Sequence, residues 1–209
     1  MANAVKESMS LNGTIINLAD VELPPVAEQL RQEEFEVRGP DLDKKYPIYE
    51  WQRQSHVLSV LQPGETCLEV GPGRRYLLRM IEQRGLYEKI HAIDIKRHPK
   101  MPDSDIEFSI MDVSSLAFED NAFDTVICME VLEHLEGEAF DRAIDEIRRV
   151  CRRQLIITVP FCEPLPLSRY HHQRIDADRV RRVFPNGRYS LMLKQPVNRV
   201  PWLLIEEDL

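Results

Sequence analysis

From residue 66 onward, seven short runs of β-branched and aliphatic residues alternate with longer stretches, several of them helical in period, and no other feature limits the fold as much. The runs are Thr66 to Val70, Ile90 to Ile95, Ile106 to Val113, Thr125 to Met129, Leu155 to Val159, Tyr189 to Leu193 and Trp202 to Ile205. Several are apolar over successive residues rather than alternate ones, as strands covered on both faces are. The clearest helical pattern is Glu138 to Cys151, where Phe140, Ile144, Ile147 and Cys151 recur at steps of four and three with charges on the other side. Strand and helix in alternation predict a parallel sheet wrapped by helices. Only about eight residues, around Pro196 and Pro201, join the last two runs. That is too short for a crossover helix, so these two strands are expected to form an antiparallel hairpin.

With 209 residues, 43% of them hydrophobic and 30% charged, the chain can fill one packed domain. Residues 1–42 mix charges and prolines without sustained periodicity and read as an extension or lid, in which Thr14-Ile15-Ile16-Asn17-Leu18 could form at most a short strand. The domain itself is expected over 43–209, opening with a helix from Asp43 to Leu61 that Gln62-Pro63-Gly64 terminates. Cys67, Cys128, Cys151 and Cys162 show no CxxC pairing, so free thiols are expected. No run reaches the roughly 18 apolar residues of a membrane helix. The opening MANAVKESMS lacks the apolar core of a leader, so the expectation is a cytoplasmic protein without membrane contact.

Net charge is −8, which argues against broad electrostatic binding to nucleic acid or anionic lipid. The charge is uneven: residues 1–147 carry 15 basic against 29 acidic side chains, whereas 148–209 carry 12 against 6. Arg169, Arg174, Arg179, Arg181 and Arg182 are candidates for holding an anionic or polyhydroxylated substrate, although solvated helix faces would give the same pattern.

The segment Cys67-Leu68-Glu69-Val70-Gly71-Pro72-Gly73-Arg74-Arg75-Tyr76 reads as a strand entering a glycine turn and then a helix. Gly71 and Gly73 permit a sharp bend and close approach of backbone to ligand, and the helix start offers free N–H groups. Two glycines also fit an ordinary turn, but later acids add to them. Asp94 ends the second strand 21 residues past Gly73, where a carboxylate accepts hydrogen bonds from a ribose diol. Asp112-Val113 ends the third, placing a carboxylate and a backbone amide where an adenine is read. A nicotinamide dinucleotide would need a third small residue where Tyr76 stands. Glu69, two residues before the first glycine, suits a ligand bearing an ammonium and a sulfonium, which points to S-adenosylmethionine.

Taken together, Leu68-Glu69-Val70-Gly71-Pro72-Gly73, His91-Ala92-Ile93-Asp94, Met111-Asp112-Val113 and the stretch from Phe123 through Cys128-Met129-Glu130-Val131-Leu132-Glu133-His134 resemble the class I S-adenosylmethionine-dependent methyltransferases over about residues 45 to 209. The resemblance implies an α/β Rossmann-like three-layer sandwich with a seven-stranded, mostly parallel sheet and an antiparallel C-terminal hairpin. It implies that Gly71 and Gly73 line the methionine part of the cofactor, that Asp94 binds the ribose and that Asp112 with Val113 contacts adenine. Glu69, Ile95 and Met129 join the same cofactor site. Arg75 stands where the family often has a third glycine, and an arginine there could pair with the cofactor carboxylate.

Methyl transfer from a sulfonium is an in-line displacement, so a base must stand at the methyl group, over the ends of the first, fourth and fifth strands. Glu130, Glu133 and His134 enter that region. They fit the capping of a short helix. They also resemble the Glu-x-x-Glu-His run of metal-assisted O-methyltransferases of the ubiquinone-pathway and small-RNA 2′-O-methylating families, where with His171-His172 they would bind one divalent ion, magnesium. The stretch from Pro160 to Arg174 sets Tyr170, His171 and His172 among arginines, a polar wall suited to hydroxyls or phosphate and equally a proline-rich connector. His171, His172 and His134 are the candidate bases, since an unperturbed imidazole pKa of about 6.5 suits proton abstraction near neutrality. The expected activity is O-methylation of a hydroxyl on a small molecule such as a sugar or secondary metabolite. The alternatives are N-methylation, RNA 2′-O-methylation, against which the acidic balance weighs, and a non-catalytic cofactor-binding subunit.

Overall fold

The computed structural model describes residues 2–42, 46–97, 106–194 and 200–209. Helix α1 (Ala2–Ser10), strand β1 (Thr14–Asn17), a 3-10 turn (Leu18–Asp20), α2 (Pro25–Arg38) and α3 (Ile48–Val60) come first. They are followed by β2 (Gly64–Val70), α4 (Tyr76–Gln83), β3 (Tyr87–Asp94), β4 (Glu107–Ile110) and β5 (Phe123–Met129). The chain ends with α5 (Glu138–Val150), β6 (Cys151–Pro160), α6 (Ala177–Val183), β7 (Arg188–Leu193) and β8 (Trp202–Asp208). The strands form one sheet in the order β1-β7-β8-β6-β5-β2-β3-β4. Among the described residues, only β8 runs against the rest, pairing antiparallel with both β6 and β7.

Every strand read from the sequence is present, and the sheet has eight strands rather than seven. The eighth is β1, which pairs in parallel with β7 from Thr14↔Ser190 to Asn17↔Leu193. Strand β4 stops at Ile110 instead of reaching Val113. The Asp112 carboxylate accepts hydrogen bonds from both the backbone N–H and the hydroxyl of Ser114, which turns the chain out of the ladder. Helix α3 begins at Ile48 because Pro47, at its N-cap, fixes an extended backbone before the first turn. Residues 43–45 of the expected helix lie outside the described residues.

Successive side chains of the central strands enter opposite layers. Leu155, Ile157 and Val159 of β6 and Leu203 and Ile205 of β8 pack with Phe140, Ile144 and Ile147 of α5. Ile156 and Leu204 face the other way, into a core with Trp51, Val57 and Leu58 of α3 and Leu77, Met80 and Ile81 of α4. In the N-terminal segment, α1 packs against β7 and α6 while α2 packs against α4. The Glu7 carboxylate of α1 accepts the Cys162 thiol at 2.9 Å and the Ala177 backbone N–H at 3.1 Å, tying α1 to the connection between β6 and α6.

The start of β2 is held to β5 by Asp124, which is buried and accepts backbone N–H groups of Glu65 at 2.7 Å and Thr66 at 3.3 Å together with the Arg152 guanidinium. Burial opposes ionisation of this carboxyl, but Arg152 and the two amides outweigh it and hold its pKa below the usual carboxylate range. Asp124→Ala leaves buried donors without an acceptor and is expected to cost about 2 kcal/mol of stability, read by urea unfolding.

Candidate active site

Two cavities open over the carboxyl ends of β2, β3 and β5, where open α/β sheets receive their ligands. The larger, about 480 Å³, is lined by Gly71 after β2, Asp94, Ile95 and Lys96 after β3, Met111 and Val113 after β4, and Glu130, Val131, His134, Leu135, Tyr170 and His172 from the connections after β5 and β6. The smaller, about 260 Å³, lies between the glycine turn and the helices α3 and α4, with Glu69, Gly71, Gly73, Arg74, Met129 and Glu130 on one side and Tyr46, Arg53, Gln54 and Leu77 on the other.

The backbone of the turn explains its glycines. Gly71 has φ +67°, and a Cβ there would meet Val131 Cγ2 at 2.4 Å. Gly73, at φ +54°, borders open space. Arg75, where the family often has a third glycine, takes φ +63° at the N-cap of α4 and is buried. Its guanidinium acts on Glu69 through its charge, whereas its neighbour Arg74 lines the smaller cavity. Arg74, and not Arg75, therefore borders the smaller cavity.

Glu69 projects from β2 into the smaller cavity and is only 4% exposed. Its Oε2 has no hydrogen-bond partner among the described residues. Burial pushes its carboxyl up to about 8, with Arg75 and Arg53 pulling the other way. A buried carboxylate oxygen left without a donor fits a ligand ammonium, which would supply both hydrogen bonds and charge. Asp94 uses one oxygen for the Lys96 backbone N–H at 3.4 Å and borders the larger cavity beside Ile95. Val113 and Met111 form the opposite wall. Asp112 differs from expectation: its carboxylate serves the Ser114 turn and does not border the cavity.

The Glu130-x-x-Glu133-His134 run divides. Glu130 sits at φ +54°, which turns its carboxylate away from Glu133 toward Arg53, Thr158 and Trp202. Glu133, His134 and His171 instead come together, each offering a ligand atom within 4.8 Å of the others. The His134 Nδ1–H donates to the Tyr170 carbonyl at 2.8 Å, which leaves Nε2 with its lone pair. His171 Nδ1 meets Glu163 Oε2 at 2.6 Å, so its Nε2 is likewise the remaining nitrogen. Glu133 is buried, and burial, together with the charge of Glu130, pushes its carboxyl up to about 9. Its Oε2 has no hydrogen-bond partner among the described residues. This donor set, two imidazole nitrogens and an oxygen that lacks a cation, fits a divalent ion. His172 stands apart, bordering the larger cavity and pairing with Glu136 at 3.4 Å.

The arginines set aside for substrate are engaged elsewhere. Arg174 pairs with Asp176, Arg181 with Asp178 at 2.5 Å, and Arg179 lies over the Phe140 ring. Arg169 lies over Tyr170, and Arg182, like the other four, does not border either cavity. The contribution that the sequence did not signal is that of α3: Arg53 and Gln54 are buried polar residues on a helix otherwise facing the core.

Residues 68–157 match a family described as a methyltransferase domain. The structure resembles a 1,6-didemethyltoxoflavin N1-methyltransferase from Burkholderia thailandensis, solved with its substrate and S-adenosylhomocysteine, with TM-score 0.62 at 14% identity over 90% of this chain and 92% of that one. It also resembles the N-methyltransferase NodS of Bradyrhizobium japonicum, solved with S-adenosylhomocysteine, with TM-score 0.60 at 17% identity over 88% of this chain and 98% of that one. A third similar structure is a methyltransferase from Aquifex aeolicus, with TM-score 0.57 at 15% identity over 85% of this chain and 97% of that one. No match is found among curated proteins. Sheet order and glycine turn are those of the Rossmann-like fold that these similar structures share, and its central part carries the methyltransferase-domain match. Among the described residues, no helix is long and apolar enough to cross a membrane.

Proposed function

We propose that this protein transfers the methyl group of S-adenosylmethionine to a hydroxyl of a small molecule. The observation that carries the reading is the histidine wall: His134 and His172, with Tyr170, border the same 480 Å³ cavity as Asp94, Ile95 and Val113. In this reading the methionine end of the cofactor lies in the smaller cavity, its ammonium on Glu69 and its carboxylate on Arg74, with Gly71, Gly73 and Met129 along its length. Asp94 accepts the ribose diol, and Ile95 and Val113 enclose the adenine. The acceptor enters between Tyr170 and Leu135, where His172 removes the hydroxyl proton as the oxygen attacks the methyl carbon and the sulfur leaves.

Glu133, His134 and His171 would hold a divalent ion such as magnesium, which lowers the pKa of a hydroxyl bound to it. The chain's own part is to fix these side chains, through the Tyr170 carbonyl behind His134 and Glu163 behind His171.

Incubating the protein with methyl-labelled S-adenosylmethionine and pools of hydroxylated metabolites, followed by mass spectrometry, is the direct test. Label on an oxygen supports the reading; label confined to amines replaces it with N-methylation. Asp94→Ala is expected to weaken S-adenosylmethionine binding about tenfold or more, the usual loss with a charged hydrogen-bond acceptor. Unchanged affinity in calorimetry would place the ribose elsewhere.

A further inference from the structure

Glu130 and Gly71 are the two residues that border both cavities. A ligand with its amino-acid end in one cavity and its nucleoside end in the other must pass its sulfur between them. Gly71 contributes only backbone there, so the side chain at the junction is that of Glu130. We infer that the Glu130 carboxylate faces the cofactor's sulfonium and gives the protein its preference for the cationic methyl donor over the neutral demethylated product. This rests on the proposed placement of the cofactor across the two cavities.

The carboxylate is built to stay in place. A non-glycine residue at φ +54° costs conformational energy and persists only where its surroundings hold it. Here the Thr158 hydroxyl donates to Oε1 at 3.2 Å, Arg53 Nη1 lies 3.2 Å from the same oxygen, and Trp202 Nε1 donates to Oε2. Arg53 is itself buried, pairs with Glu50 at 2.9 Å and stacks 4.2 Å above the Trp202 ring centre. One guanidinium thus serves two carboxylates, and Lys194 over the other part of the network offsets Glu50. Glu130 consequently presents a fixed, partly compensated negative charge at the junction, rather than a mobile side chain free to join Glu133 and the histidines.

The chemical consequence concerns turnover. Loss of the methyl group converts a sulfonium into a neutral thioether, so an anion beside the sulfur favours donor over product and helps the product leave. An opposite charge at close range shifts such equilibria by about tenfold or more, and the Arg53 pairing reduces this to about fivefold.

Calorimetry on the full chain tests this without an acceptor. The ligands are S-adenosylmethionine, S-adenosylhomocysteine and sinefungin, whose ammonium replaces the methylated sulfur. In Glu130→Gln, the affinity ratio of each cationic ligand to S-adenosylhomocysteine is expected to fall about fivefold, with S-adenosylhomocysteine binding nearly unchanged. Equal weakening of all three would assign Glu130 a purely structural role and overturn the inference. Should Glu130→Gln fail to fold, Arg53→Met removes the compensating charge and is expected to raise the same ratio; an unchanged ratio in that folded variant overturns it equally. Failure of the unaltered protein to bind any of the three would overturn the cofactor placement itself.

Discussion

Replacing Glu69 with glutamine is expected to weaken S-adenosylmethionine binding by about a hundredfold while making the ligand-free protein harder to unfold near pH 8. The first effect follows from a buried carboxylate oxygen that has no donor among the described residues and borders the cavity proposed for the cofactor ammonium. Removing one partner of a buried, hydrogen-bonded charge pair commonly costs about 2–5 kcal/mol, and a hundredfold lies near the lower end. The second effect follows from burial pushing the Glu69 carboxyl from 4.5 up to about 8. A carboxyl raised on folding adds no penalty below its unfolded pKa. The penalty grows as pH rises toward 8 and is constant above, reaching on the order of 4 kcal/mol. Burying the amide of glutamine returns part of that. Urea unfolding at pH 5, 6.5 and 8 should therefore show the variant gaining on the unaltered protein as pH rises. Because a bound ammonium requires the ionised form, cofactor binding at pH 7 should release about one proton. Calorimetry in two buffers of different ionisation enthalpy measures this, and no release would show that Glu69 does not meet the ammonium.

What the sequence revealed and what it hid differ by range. The turn at Gly71 and Gly73 and the strand end at Asp94 were legible because a strand end, a turn and a helix start are local patterns set within a few dozen residues. Helix α5 was legible because its apolar residues keep one period throughout. Strand β1 has four residues and gains its place only by pairing with β7, more than 170 positions later, so nothing local could decide it. The same is true of α3: that Arg53 and Gln54 would reach a cavity depends on how the helix crosses the sheet, not on its own pattern. In the run from Glu130 to His134, spacing suggested that both glutamates act together. A single left-handed residue at Glu130 separates them, and residue type did not announce it, because glutamate rarely adopts that conformation. Arg75, the arginine considered for the cofactor carboxylate, is likewise left-handed and buried, and Arg74 is the one that borders the cavity.

His134→Ala and His171→Ala are each expected to weaken divalent-ion binding by about a hundredfold or more, since either removes one of three ligands. Manganese, titrated into the protein and followed by loss of the free-ion electron paramagnetic resonance signal, measures binding without any acceptor. Glu163→Gln keeps a hydrogen-bonding partner for His171 but removes the charge behind its Nδ1, so a smaller loss of about tenfold is expected. Glu130→Gln supplies the sharpest contrast. If the Glu-x-x-Glu-His run acted as a linear motif, this variant would bind the ion as poorly as a histidine variant. In the structure Glu130 is committed to Arg53, Thr158 and Trp202 and acts on Glu133 only through its charge, so its replacement is expected to change manganese affinity far less than the loss of a histidine does. No binding by the unaltered protein at millimolar manganese would leave Glu133 as a buried, protonated acid, and methyl transfer would then depend on the histidines of the larger cavity, His172 and His134, for its base. The two outcomes separate cleanly in turnover as well: chelation abolishes labelled product in the first case and leaves it intact in the second.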